Sequence, residues 1–229
     1  MPERLKAGDK LPAFTYDTPY VPQADFYGLL AQDKPLFLVF LRNYGHPIAR
    51  HYIMEYIKDS AELHSARLAC VVRTKPQVIG RAIPQGKMPY ELICDAEGVL
   101  YEHFGVPLVP SRFKSYSLAA LKILKQAKKQ GYEPPKDEPQ QLPLTLLVGR
   151  EGEVLFAHYG QSVTDLPENC AALERVAAAV LQARQQESAA SEPEEEDDYM
   201  GRMQHLAQEA GWGVEDGVEP DGLTPRSDG

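Results

Sequence analysis

The stretch Gly45-His46-Pro47-Ile48-Ala49-Arg50 joins an apolar run, Pro35 to Leu41, to a segment with helical patterning that opens at Pro47. A helix start presents unpaired N–H groups and partial positive charge, so a turn feeding one suits an anion or a reactive thiolate. This turn holds no cysteine. Its chemistry-bearing residue is His46. Imidazole can serve as general base, metal ligand or anion-binding group, and the plainer reading is a polar surface residue filling a turn. Arg42 and Arg50 flank it. They read either as a clamp on an anion, aided by the N–H groups of residues 46–49 other than Pro47, or as a solvated pair beside the helix. His51 follows His46 by five residues, which is not the i, i+4 spacing that places two metal ligands on one helix face.

The three cysteines, Cys70, Cys94 and Cys170, are widely spaced and form no CxxC. That spacing argues against a disulfide scaffold and a zinc site, and no metal or cofactor is expected. Cys70 lies inside an apolar run and reads as inert core, since apolar burial raises a thiol pKa. Cys94 and Cys170 are the candidate reactive thiols. Cys94 ends a predicted strand, where partial exposure is expected, but the adjoining Asp95 carboxylate would raise its pKa. Cys170 falls near the start of the last helix, with the dipole in its favour and Asp165 and Glu168 against it.

The elements that must position these groups follow from periodicity. A short strand is expected over 11–16 and a short helix over 25–31, with Asp25 as its N-cap. Leu36-Phe-Leu-Val-Phe-Leu41 is a continuous apolar run that suits a strand buried on both faces. A helix follows over 47–62, with Ile53, Tyr56, Ile57 and Leu63 on its buried stripe. A second buried strand spans 67–73, a Pro-led helix 76–83, a third strand 90–94 and a short helix 99–104 closed by Gly105. A longer helix is read over 111–130, with Leu118, Leu121, Ile123 and Leu124 as its apolar stripe and Lys122, Lys125, Lys128 and Lys129 outside it. A β-hairpin takes 142–158 and a last helix 166–184, with Leu173, Val176, Val180 and Leu181 on one side. Buried strands alternating with helices and ending in a hairpin and helix indicate an α/β sandwich around a mixed sheet.

The net charge of −9 is unevenly spread. Of the 33 acidic residues, 13 fall within 187–229, against 2 of the 24 basic ones; residues 1–186 keep 20 acids and 22 bases. Residues 1–186 thus read as a folded, nearly neutral domain and 187–229 as an acidic, mostly disordered tail with one possible short helix over 199–210. No broad basic field suggests nucleic acid, and no long apolar run suggests a membrane. No secretory pattern opens the sequence, so a cytoplasmic location is expected. The partner expected is another protein, through the acidic tail or the face carrying His46; oligomeric state is not legible.

Three segments carry a resemblance. Lys34 to Arg50 is similar to a strand, arginine and Gly-Cys-Pro-x-Cys-Arg type turn. Met88 to Val106 is similar to a strand, Asp turn and Tyr-containing helix ending in Gly-Val. Gln140 to His158 is similar to a closing hairpin. In this order they resemble the thioredoxin-fold redoxins of the alkyl hydroperoxide reductase/thiol-specific antioxidant (peroxiredoxin-like) family, over roughly residues 5–185. The resemblance implies a thioredoxin-like three-layer sandwich and places the family's two cysteine positions on His46 and Ala49. Neither residue can form a thiolate or a sulfenic acid, which that chemistry requires. The expectation is therefore a degenerate site (His46, Ala49, with flanking Arg42, Pro47 and Arg50) on a binding or interaction module. The alternative is a thiol-dependent oxidoreductase that uses Cys94 or Cys170. Pro143 is similar to the family's cis-proline, although it stands two residues before Thr145; the sequence leaves the isomer open.

Overall fold

The computed structural model describes residues 4–109, 115–132 and 140–191. The expected helix over 199–210 and the acidic segment around it lie outside the described residues. The chain divides into two units, 1–183 and 184–229; of the second, only residues 184–191 are described, as the end of a helix.

A short hydrophobic run with no polar interruption suits a strand covered on both sides. That strand is β3 (Leu36–Phe40), buried at every position. It pairs in parallel with β4 (Arg67–Val72) and antiparallel with β6 (Leu144–Val148). Beyond these lie β5 (Glu91–Cys94), parallel to β4, and β7 (Val154–Tyr159), antiparallel to β6. The five-stranded mixed sheet thus has the order β5-β4-β3-β6-β7. A separate two-stranded ribbon joins β1 (Thr15–Tyr16) and β2 (Ala24–Asp25). The expected strand over 11–16 is reduced to its last two residues, with Leu11 instead buried and tied to the hairpin turn by its N–H to the Gly152 carbonyl.

Alternate side chains of β3 feed two cores. Phe37 and Val39 join Ile48, Tyr52, Ile53 and Tyr56 of α2 (Pro47–Lys58). The same core takes Ile79 of α3 (Pro76–Ala82), Ala120 of α5 (Leu118–Lys129) and Leu173 and Ala177 of α6 (Cys170–Ser191). On the other face, Leu36, Leu38 and Phe40 meet Phe26 and Leu30 of α1 (Phe26–Leu30) and Tyr101 of α4 (Val99–His103). Helices on both faces of a mixed sheet make the three-layer α/β sandwich of a thioredoxin-like fold.

Local chemistry sets the helix bounds. Asp25 caps α1 by accepting from the Gly28 N–H at 2.6 Å. The predicted 47–62 helix breaks at Lys58, where Asp59 leaves helical geometry and a short 3₁₀ turn, Ser60–Glu62, follows. The last helix starts later than predicted. Asn169 accepts from the Ala172 N–H at 2.9 Å and sets Cys170 as its first residue. It also runs past Arg184 to Ser191, because residues 184–191 are helix-compatible and the next proline is Pro193.

The stripe read on α5 is corrected. Leu118 is 86% exposed and Leu121 51% exposed. Ser117 caps this helix through the Ala120 N–H, and the face turned inward carries Ala120, Ile123, Leu124 and Ala127. Those four stand at i, i+3, i+4 and i+7, the spacing of one helix face, whereas 118, 121 and 124 drift around the axis. The Leu142–Pro143 bond is trans, as are the other described peptide bonds. In the β6–β7 turn Gly152 adopts φ +84°, and a Cβ there would run into the Tyr27 hydroxyl.

Candidate functional site

The link from β3 to α2 is fixed residue by residue. The Leu41 N–H donates to the Val71 carbonyl at 2.8 Å, and the buried Tyr101 hydroxyl reaches the Leu41 carbonyl from α4. The Tyr44 N–H donates to the Thr74 hydroxyl at 2.8 Å. Asn43 then makes the turn, its side-chain oxygen accepting from the Gly45 N–H (2.7 Å) and its carbonyl from the His46 N–H (2.9 Å). Pro47 occupies the first helical position, where a missing N–H costs nothing.

His46 is the N-cap of α2, and it is only 6% exposed. The surface-residue reading is therefore overturned. Its Nδ1 lies 3.2 Å from the Ile48 N–H donor and its Nε2 lies 3.2 Å from Arg42 Nη1. Both neighbours can only donate, and a neutral imidazole can accept at only one nitrogen. Two donors thus converge on a ring able to satisfy one of them. Protonation would make both contacts donor against donor. Burial, reinforced by the Arg42 charge, lowers the His46 pKa to about 3.

Arg42 is also 6% exposed. Its Nη1 additionally donates to the Tyr116 hydroxyl at 3.1 Å, which in turn donates to Gln140 Oε1 at 2.9 Å. Nε and Nη2 donate to no described group, and none of the ion pairs among the described residues involves Arg42. Among the described residues, the groups that hold this nearly buried guanidinium are neutral, so its desolvation is offset by hydrogen bonds and not by an ion pair with any of them.

Arg50 does not share this position. It is exposed, and its guanidinium lies 5.8 Å from the centre of the Tyr44 ring. The two-arginine clamp is thus not formed, and Arg42 alone faces His46. Ala49 is buried against the α2-side core, and Pro47 is half-buried. A groove of about 690 Å³ between α2 and α5 begins beside the turn, at Gly45 and Pro47. Arg50, His51 and Lys122 line it, with Ile123, Gln126 and Gln130, and none of the described residues that line it is a carboxylate. His51 is exposed and separate from His46. Among the described residues no three His, Cys, Asp or Glu side chains converge to hold a metal.

All three thiols are buried. Cys70 is fully enclosed in β4, and burial pushes its pKa up strongly. Cys94 is 7% exposed, not the partly open thiol expected; burial, then the Asp17 and Glu91 charges, push it up to about 12. The carboxylates that matter are those two, because Asp95 turns away to cap α4. Cys170 is 1% exposed, its thiol donates to the Tyr56 carbonyl at 3.3 Å, and burial and Asp59 push it up to about 12. Asp59, not Asp165 or Glu168, takes the start of α6, accepting from the Cys170 and Ala171 N–H groups at 3.3 and 3.4 Å. Asp165 is instead paired with His158 at 3.0 Å.

Sequence reading missed Tyr116, Gln140, Tyr132 and Thr74. The His46 ring meets Tyr132 edge-on at 6.1 Å between centroids. Nothing local announces a hydroxyl 74 residues from its partner Arg42. Asn43 was findable, since Asn two residues before Gly is a turn signal.

No protein-family model matches the chain, and no curated protein sequence matches it. Solved structures do. The peroxidoxin BcpB of Mycobacterium tuberculosis aligns at 17% identity with a TM-score of 0.53, covering 79% of this chain and 98% of that one. A thiol peroxidase from Chromobacterium violaceum aligns at 15% identity and TM-score 0.53, over 81% and 91%. The peroxiredoxin 6 of Arenicola marina gives 14% identity and TM-score 0.55, over 79% and 76%. Identities this low speak to architecture, and the architecture agrees across the domain: this chain has the peroxiredoxin-like form of the thioredoxin fold.

Proposed function

We propose that this protein is a binding or interaction module that uses a peroxiredoxin-like scaffold without thiol peroxidase activity at the α2 turn. The observation that carries the reading is His46 itself. A buried, neutral imidazole occupies the helix start where such chemistry would need a thiolate, and the turn offers no cysteine. The alternative, a thiol oxidoreductase using Cys94 or Cys170, meets two obstacles. Both thiols are buried, and both have pKa values near 12, leaving almost no thiolate at neutral pH.

The test is peroxide consumption with dithiothreitol or thioredoxin as reductant. The expected result is no turnover above that of the reductant alone. Mass spectrometry after mild peroxide treatment should likewise find no sulfenic acid before general oxidation. Turnover that is present in the wild type and lost in Cys94→Ser or Cys170→Ser would overturn the reading.

A further inference from the structure

We infer that the cavity at the starting end of β3, β4 and β5 binds a free amino acid with an apolar side chain: Glu91 takes its ammonium, Arg67 and Lys34 take its carboxylate, and its side chain lies against Leu63, Met88 and Tyr90. The three strands run parallel, so Lys34 just before β3, Arg67 at the first position of β4 and Glu91 at the first position of β5 come to one end of the sheet. The His46 turn follows β3 at the other end. All six residues line one cavity of about 430 Å³, a size suited to a small molecule.

The cavity brings together charges that do not pair. Glu91 is half-buried, and neither ion pair among the described residues involves it. Burial raises its pKa, and no cation among the described residues pulls it back down. Arg67 is half-buried as well. It is anchored by neutral carbonyls, Nη2 donating to Leu29 at 2.6 Å and Nε to Lys34 at 3.3 Å. Burial lowers its pKa, and no described carboxylate offsets that. Glu91 and Arg67 thus present opposite charges to the same space without neutralising each other.

A zwitterion answers both. A simple cation would gain at Glu91 and be repelled by Arg67 and Lys34; a simple anion would meet the reverse. The apolar wall sets the rest of the ligand. Leu63, Met88 and Tyr90 are partly buried against the α2-side core. The Tyr90 hydroxyl donates to the Ile53 carbonyl at 3.0 Å, which fixes the position of its ring. A held apolar surface beside a few convergent charges suits a compact ligand that carries both charges and a hydrocarbon chain. Glycine has the charges and nothing for the wall.

The probe is L-leucine, and the readout is the ¹H–¹³C shift of the Met88 methyl in the full-length chain at pH 7.5. Two comparators each lack one charge: isoamylamine has no carboxylate, and 4-methylpentanoate has no ammonium. Leucine should move the Met88 methyl saturably and bind at least about tenfold more tightly than either comparator, and than glycine. Glu91→Gln keeps the side-chain size and should weaken leucine about tenfold without weakening 4-methylpentanoate. Lys34→Gln, at an exposed position, should weaken leucine without weakening isoamylamine. If Glu91→Gln does not fold, Glu91→Asp keeps the charge, draws it back from the cavity and should weaken leucine to a smaller extent. No saturable Met88 shift with leucine, leucine no tighter than the comparators, or leucine binding unchanged when Glu91 is replaced, overturns the inference. The site is separate from the α2 turn, so each of these outcomes leaves the absence of peroxidase activity standing, and peroxide turnover would remove that reading without bearing on leucine.

Discussion

At the start of α4 the Asp95 carboxylate accepts from four backbone N–H groups: Gly98 at 3.1 Å, Val99 at 2.9 Å, Leu100 at 2.7 Å and Tyr101 at 3.3 Å. At the start of α2 the capping group is a neutral imidazole that takes one N–H, from Ile48 at 3.2 Å, while a buried guanidinium presses on its other nitrogen. Both ends face the same requirement, to satisfy orphan donors in a place with little water. The first is closed by a charge the chain supplies. At the second, no described residue supplies one. Asp95 is itself buried, so burial does not distinguish the two ends. What distinguishes them is that α4 is capped by a carboxylate and α2 by a neutral imidazole, and Leu41, which Tyr101 of α4 holds, leads directly to the second.

Breaking the satisfied end should cost most. Asp95→Ala leaves four donors without their acceptor, in a position too buried for water to replace it fully. The expected loss is roughly 3 kcal/mol in urea unfolding, with Asp95→Asn losing less because one amide oxygen still accepts. A loss under about 0.5 kcal/mol would mean that the carboxylate is dispensable, and the contrast between the two helix starts would fail.

The neutral cap should show itself through pH. The folded-state pKa of His46 is lowered to about 3 from 6.5, so the unfolded chain binds the proton more readily. The contribution of the neutral ring is therefore complete above pH 6.5 and is lost as pH falls from there toward 3. Relative to His46→Asn, which caps without titrating, the wild type should lose about 2 kcal/mol between pH 7.5 and pH 5. Parallel stability profiles for the two proteins over that range would show that the ring is charged or exposed, and the neutral cap at α2 would have to be given up.

The scaffold was far more legible than the site. Leu36-Phe-Leu-Val-Phe40 suited a central strand by its length and its aromatic and β-branched residues, Asp25 announced its own cap, and the hairpin declared itself by two apolar segments around Gly152. These signals are local, written within a few residues of where they act. The turn at His46 was also visible as the join between strand and helix. Its burial was not, because Tyr132, which meets the ring, and Tyr116 and Gln140, which hold its neighbour Arg42, come from far along the chain. The same reason separates the two arginines. Arg42 and Arg50 look equivalent in sequence, yet one faces inward where the strand ends and the other lies on the exposed side of α2. On α5, leucine identity suggested a stripe through Leu118 and Leu121, but the phase set by the Ser117 cap and the close approach of Ala120 decided otherwise.

A third helix start grades the comparison. At α6, Asp59 supplies a carboxylate from the end of α2, but its contacts to the Cys170 and Ala171 N–H groups are long, at 3.3 and 3.4 Å. It should behave as a weaker version of Asp95. Asp59→Asn is expected to cost about 0.5–1 kcal/mol, less than the loss at Asp95 and less than the pH 5 effect at His46. The same substitution has a second consequence at Cys170. Burial raises that thiol first, and the Asp59 charge adds to it, so removing the charge should lower the pKa while burial keeps it above the ordinary thiol range. Thiolate absorbance against pH would show the downward movement, and native-state alkylation at pH 8 should remain slow because the sulfur stays enclosed. Rapid alkylation in Asp59→Asn would mean that charge, not burial, had been keeping Cys170 quiet, and the start of α6 would then be the place to look for thiol chemistry instead of the start of α2.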